Sequence, residues 1–248
     1  MRIDILTLFP EMLAGPLQAS LLGKALSDGR MEVALTNIRD FANDRHNTVD
    51  DSPYGGGAGM VMKCEPLFAA VESLRTRNSL KRVILMSPRG ERLTQAKVRE
   101  LAALPDLVLI CARYEGVDER VSQALVTEEI SIGDYVLSGG ELPALVLVEA
   151  MSRMIPGVIG DWESVETDSF YQGILGPPQY TRPPVFREME VPGVLRDGNH
   201  AAIRRWRRRE ALRATRARRT DLLIDLEPED KKLLAEIEQE APISEREK

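Results

Sequence analysis

The sequence predicts an α/β domain with a mostly parallel sheet, followed by a small helical carboxyl-terminal domain. Three observations predict it. Over the first 150 residues short β-rich runs alternate with stretches of helical periodicity. Residues 157–184 lose that periodicity and end in the proline pairs Pro177-Pro178 and Pro183-Pro184. Residues 203–219 then return to a helical pattern crowded with arginine.

In chain order, residues 2–8, 31–38, 81–86 and 106–111 are β-rich runs and are expected to be strands. Residues 16–26 read as a helix, with Pro16 suited to a first turn and Gly29 just past the end; Thr94 is placed to cap a helix carrying Val98, Leu101 and Leu104. Residues 141–155 read as another helix. Such alternation predicts a parallel sheet whose ligand binds beyond the carboxyl ends of the strands. That directs attention to three loops, 39–62, 87–92 and 132–141, which are longer or richer in glycine than connection alone requires. The expected layout is an α/β domain over 1–160, an interdomain linker over 161–176 and a helical domain with an acidic tail over 177–248.

Composition excludes several classes. With 39 acidic against 33 basic residues the net charge is −6, which argues against indiscriminate nucleic-acid binding. The charge is segregated, however: residues 203–219 hold nine arginines against Glu210, and residues 221–248 hold ten carboxylates against four bases. Two cysteines, Cys64 and Cys111, and two histidines supply neither a disulfide framework nor zinc-ligand spacing. Charge near the start, at Arg2 and Asp4, and the lack of any run of about 18 apolar residues give the expectation of an unexported, cytoplasmic protein.

The most informative segment is Ile132-Gly133-Asp134-Tyr135-Val136-Leu137-Ser138-Gly139-Gly140-Glu141-Leu142-Pro143. Its glycines let a flat ring approach backbone amides and carbonyls closely, although a tight strand-to-helix turn would use the same residues. It lacks the dinucleotide fingerprint, and nothing matches a P-loop, so NAD and ATP are poor candidates. Tyr54-Gly55-Gly56-Gly57-Ala58-Gly59-Met60 is a second glycine loop. Arg45, His46, Asp50 and Asp51 lie just upstream, with donors and acceptors suited to base edges and phosphates. Residues 161–168 offer Asp161, Glu163, Glu166 and Asp168 as candidate proton acceptors, and composition does not choose among them. Arg153 suits the carboxyl end of a helix. In the basic segment, Ile203, Trp206, Ala214 and Ala217 predict one packed face, leaving Arg205, Arg208 and Arg209 for phosphate contacts; the competing expectation is a solvated helix neutralised by the acidic tail.

Read as ordered motifs, the chain resembles the bacterial tRNA (guanine-N1)-methyltransferases of the SPOUT superfamily across nearly its whole length. The resemblance rests on Thr7-Leu8-Phe9-Pro10, Val49-Asp50-Asp51-Ser52-Pro53-Tyr54-Gly55-Gly56-Gly57, Met86-Ser87-Pro88, Arg113-Tyr114-Glu115-Gly116-Val117-Asp118, residues 132–143, Arg153 with Pro156-Gly157-Val158, and Gln179-Tyr180-Thr181-Arg182-Pro183. It departs from the family pattern at Ala112, where glycine is usual, and at Ala58, where proline is usual.

The resemblance implies a deep trefoil knot that binds S-adenosylmethionine through Leu85, Met86, Ser87, Pro88, Ala112, Tyr114, Glu115, Gly116, Ile132, Gly133, Asp134, Tyr135, Val136, Leu137, Gly139, Gly140 and Pro143. It implies methylation of N1 of guanine 37 in tRNA, in support of reading-frame maintenance, with Asp168 as general base and Arg153 stabilising charge on O6. It further implies magnesium dependence, a homodimer with active sites shared between subunits, and contact with the tRNA anticodon stem-loop. Ser164 and Arg182 join His46, Asp50 and the three arginines as expected RNA contacts. A relative acting on a ribose 2′-hydroxyl and a non-catalytic RNA-binding protein are the competing readings.

Overall fold

In the first part of the chain the elements run β1 (Arg2–Thr7), α1 (Glu11–Leu17), α2 (Ser20–Ser27), β2 (Glu32–Asn37), β3 (Asp50–Asp51), β4 (Val61–Met62), α3 (Cys64–Arg75), β5 (Val83–Arg92), α4 (Gln95–Ala102), β6 (Asp106–Cys111), α5 (Glu119–Ala124), β7 (Glu128–Ser131) and α6 (Glu141–Ser152). The computed structural model describes residues 1–75 and 82–239, and contacts divide the chain into two units, 1–160 and 161 onward. Lys81, expected at the start of a strand, lies outside the described residues.

Five parallel strands form one sheet in the order β2-β1-β6-β5-β7. The inner strands β1 and β6 are aliphatic on both faces because both faces are covered. Ile3, Ile5, Leu107 and Leu109 pack with Leu13, Leu22, Leu101 and Leu147 from α1, α2, α4 and α6. Their sequence neighbours Leu6, Val108 and Ile110 belong to a second cluster with Leu67, Val71 and Val121 from α3 and α5. Asp4, buried in the middle of β1, is held by a two-pronged contact from Arg2, both bonds at 2.9 Å.

Three local expectations are corrected. Pro16 does not begin a helix: it lies in the last turn of α1, which runs on to Leu17, and α2 starts afresh at Ser20. Residues 87–92 are not a plain loop but the far end of β5, which bulges so that both Met86 and Glu91 face Ile130. The short strand β7, with only Ile130 as a large aliphatic residue, was not foreseen. The helix after Thr94 forms as expected, its hydroxyl accepting the Lys97 amide at 3.3 Å, and α6 matches the expected helix but stops at Ser152.

The second unit contains α7 (Trp162–Glu166), the hairpin of β8 (Val185–Phe186) with β9 (Met189–Glu190), α8 (His200–Arg218) and α9 (Pro228–Gln239). Residues 161–176, expected as a linker, carry α7 and contribute Ile174 to this unit's core, beside Ala211, Leu212, Leu233 and Ile237. The fully buried face of α8 is Ala211, Leu212 and Thr215; of the positions expected to pack, Ile203, Trp206 and Ala214 are half-buried and Ala217 is exposed. The Thr215 hydroxyl accepts the Leu175 amide at 3.0 Å, which sets the strand of chain after α7 against the helix.

Two of the ion pairs that join α8 to α9 differ in exposure. Arg208 grips Asp230, whose side chain is 7% exposed, whereas Arg205 and Glu236 are each about half in solvent. Loss of a partner matters most where the other charge stays buried. Arg208→Ala is expected to destabilise the protein by about 2 kcal/mol and Arg205→Ala by about 0.5 kcal/mol, read by urea denaturation. Equal losses would contradict this account.

Candidate functional site

The carboxyl ends of β5, β6 and β7 border a cavity of about 290 Å³. Each wall has a local cause. The β5 bulge lifts Ser87 and Pro88 out of the ladder, and Gly90 then passes so near β7 that a Cβ would fall 2.3 Å from the Glu129 carbonyl carbon. After β6 the chain turns at residues 113–116, with Tyr114 in the left-handed region at φ 61° and the Gly116 amide donating to the Arg113 carbonyl. Strained backbone of this kind persists where surrounding structure fixes it. The third wall, residues 132–140, returns from β7 to α6, and its Gly140 amide donates to the Ala112 carbonyl at 2.8 Å.

Beneath these walls lies a charged pair. Glu141, the first residue of α6, is fully buried, and its Oε2 sits 2.9 Å from Nε of Arg113. Burial pushes the nearby Cys111 thiol well above its ordinary range, and the negative charge of Glu141 adds to that, so Cys111 is a neutral packing group rather than a nucleophile.

Every residue expected at the cofactor lines this cavity except Asp134. Arg89, Arg113, Val117, Glu119, Ser122, Glu129, Ile130, Ser131 and Ser138 also line it and were missed. The β7 residues among them were hidden because that strand was itself unrecognised. Arg113 had a signal, its place in the motif ahead of Tyr114. Arg153 is elsewhere: it caps the carboxyl end of α6, which at 12 residues separates it from the cavity end of the helix by about 18 Å.

The second glycine loop is tied to the same turn. The Glu115 amide donates to the Met60 carbonyl at 3.0 Å, and the Met62 amide to the Gly116 carbonyl at 2.9 Å. Upstream, Asp44 organises the chain by accepting from the amides of His46 and Thr48, leaving His46 exposed and Asp50 half-buried in β3. Desolvation opposes ionisation of Asp44, but these hydrogen bonds outweigh it and lower its pKa.

Within the second unit a cavity of about 240 Å³ is lined by Glu163, Glu166 and Asp168 with Arg204, Arg207 and Arg208. Ser164 and Arg182 are exposed. The arginines divide by face. Arg205, Arg208 and Arg216 pair with Glu236, Asp230 and Glu238 of α9, and Arg208 also donates to Gln172. Arg209 is half-buried. Arg204 and Arg207 are exposed and form no ion pair among the described residues. Arg205 and Arg208, expected as phosphate contacts, thus also face carboxylates of α9, and Arg205 keeps about half of its side chain in solvent. No group of three or more histidine, cysteine, aspartate or glutamate side chains is placed to hold a metal ion among the described residues.

A family model described as tRNA (Guanine-1)-methyltransferase TrmD matches residues 1–225. The tRNA (guanine-N(1)-)-methyltransferase of Moorella thermoacetica is 56% identical over 241 residues, covering 96% of each chain. That of Desulforamulus reducens is 54% identical over 242 residues, covering 96% of this chain and 95% of its own, and that of Dictyoglomus turgidum is 54% identical, covering 97% and 98%.

Gly139 and Gly140, at the end of the third wall, have unequal tolerance. A Cβ at Gly140 would lie 2.7 Å from the Cys111 Cα and 3.0 Å from the Ala112 nitrogen, which are backbone, whereas at Gly139 it would meet the Arg113 and Glu141 side chains. Gly140→Ala is expected to cost about 1–3 kcal/mol by thermal denaturation and to distort the cavity. A Gly140→Ala protein with the melting temperature of the parent would refute this close-approach argument.

Proposed function

The chain belongs to the tRNA (guanine-1)-methyltransferase family, and from that premise we propose that it transfers the methyl group of S-adenosylmethionine to N1 of guanine 37 in tRNA, beside the anticodon. The observation that carries this reading is the convergence of three separate wall segments, 85–88, 112–116 and 132–140, on one cavity. A deep trefoil knot is the topology the family implies for them. Its support is the strand order, in which the chain leaves β6, passes β5 to form β7, and comes back to place Gly140 against Cys111.

Bound S-adenosylmethionine supplies an electrophilic methyl group on a sulfonium. The backbone amides and carbonyls of the third wall are suited to reading an adenine edge, and the apolar side chains of Leu85, Ile132 and Leu137 to enclosing its faces. Guanine N1 carries a proton at neutral pH, so the reaction needs an acceptor for it. Asp168 is the proposed base. Negative charge then spreads to O6, where the Arg153 guanidinium stabilises it. Magnesium is implied by the family resemblance alone, since no group of three or more histidine, cysteine, aspartate or glutamate side chains among the described residues is placed to hold it.

Arg153 stands at the opposite end of α6 from the cavity, a helix about 18 Å long, and this motivates a shared site. The outward face of α6 carries Leu142 and Val146, 49% and 47% exposed, an apolar stripe suited to pairing with a second copy. Antiparallel pairing of two α6 helices would bring Arg153 of a second copy to the cavity. We therefore read the working unit as a homodimer whose sites draw on both chains.

For RNA, the anticodon stem-loop is the proposed partner. Arg204 and Arg207 are the phosphate contacts, with His46, Asp50, Ser164 and Arg182 as further contacts near bases. Among the described residues no helix is long and apolar enough to cross a membrane, and a tRNA substrate supports the reading of a cytoplasmic enzyme.

The direct test is methylation of an unmodified tRNA transcript followed by nucleoside digestion. N1-methylguanosine supports the reading, and a 2′-O-methylated product overturns it. Asp168→Asn is expected to slow transfer by about 100- to 10,000-fold with cofactor affinity retained. Its activity should return on subunit exchange with a chain whose cavity is blocked at Gly139; verified mixed dimers without activity would exclude shared sites. Replacing Arg204 and Arg207 together by alanine is expected to weaken tRNA binding and to reduce the slope of log affinity against log salt by roughly 1 to 2. An unchanged slope would remove them from the interface.

A further inference from the structure

The charged pair beneath the cavity is unusual for its depth. Thr7, at the end of β1, is fully buried; its hydroxyl donates to Glu141 Oε1 at 2.7 Å and accepts the Phe9 amide at 2.9 Å. The other carboxylate oxygen faces Arg113 at 2.9 Å, close enough for attraction yet not aligned as a hydrogen bond. Side-chain exposure is 1% for Glu141 and 15% for Arg113. The guanidinium also lies 4.4 Å over the Phe9 ring, and its Nη1 donates to the Ser138 carbonyl at 3.4 Å.

Stability alone is a weak reason for such a pair, because apolar residues of similar volume commonly do as well without the desolvation cost. Its distinguishing property is direction. One carboxylate fixes three chain segments that are far apart in sequence: the end of β1, the turn after β6 and the start of α6. Gly139 pairs in antiparallel fashion with Arg113 and lies so near it that a Cβ would fall 2.2 Å from Nε. The position of the third wall is thus set by where the guanidinium is held.

We propose that Glu141 is a positioning residue for the cofactor: anchored by Thr7, it holds Arg113, and Arg113 holds residues 138–140 at the spacing that the cofactor requires. This rests on the reading of the cavity as the S-adenosylmethionine site. Glu141 touches no substrate atom in this account. It is also favourably placed as an anion in the first turn of α6, whose amino-terminal cap residue, Gly140, offers no side chain.

The test is cofactor binding by calorimetry, with S-adenosylmethionine and the full-length protein, paired with steady-state kinetics. Glu141→Gln keeps the acceptor for Thr7 but removes the charge that Arg113 faces. It is expected to weaken cofactor binding by about 10- to 100-fold and to raise the cofactor KM in parallel, with tRNA affinity unchanged and kcat within about threefold. Thr7→Val should follow it, and Thr7→Ser should recover binding to within about threefold of the parent. The Thr7 pair carries the test should Glu141→Gln fail to fold. Variants that melt at lower temperature yet bind the cofactor as the parent does, measured well below melting, would reduce the pair to a structural role and overturn the proposal. A parent protein that binds no S-adenosylmethionine would instead overturn the function on which it rests.

Discussion

At the end of β6 the chain runs against itself with hydrogen as the only side chain that fits. The Gly140 amide reaches the Ala112 carbonyl at 2.8 Å, and Gly140 lies against the Cys111 Cα. Because β7 is on the far side of β5, this contact is made by a segment that has crossed the sheet edge and come back. The cavity, the register of α6 and the depth at which Glu141 is buried all follow from that approach. A residue with a larger side chain would hold the third wall away from β6 and open the space the other two walls enclose.

The sheet was legible where periodicity and burial coincide. β1 and β6 are nearly continuous aliphatic runs because helices cover both faces, and Thr94 marked the start of α4 by its capping chemistry. β7 was not legible: four residues with two carboxylates resemble a surface turn, and only pairing with the bulged end of β5 makes them a strand. Pro16 misled for a related reason. Proline suits a first turn, but here it sits in a last turn, and residue types alone do not distinguish the two. The cavity lining came through because its glycines and ordered motifs are local in sequence. Arg113 and Glu141 did not emerge as a pair, since what joins them is tertiary contact over 28 positions.

The arginine segment shows how composition and structure diverge. Nine cations in 17 residues read as a single nucleic-acid surface, yet α9 neutralises one side of the helix and leaves Arg204 and Arg207 on another. Carboxylates that follow in sequence thereby confine a broad positive field to one edge. A helix with every guanidinium open would attract any polyanion, whereas pairing with α9 leaves a narrower positive edge.

The backbone bonds from Met60 and Met62 to Glu115 and Gly116 have a thermodynamic implication. They make the exposed glycine loop and the cavity turn one mechanical element, although more than 50 residues separate them. Conformational freedom lost at either end is lost partly for both, so a ligand that orders the turn leaves less entropy for a second ligand to remove at the loop. By linkage the benefit is reciprocal and identical in free energy, whichever ligand arrives first.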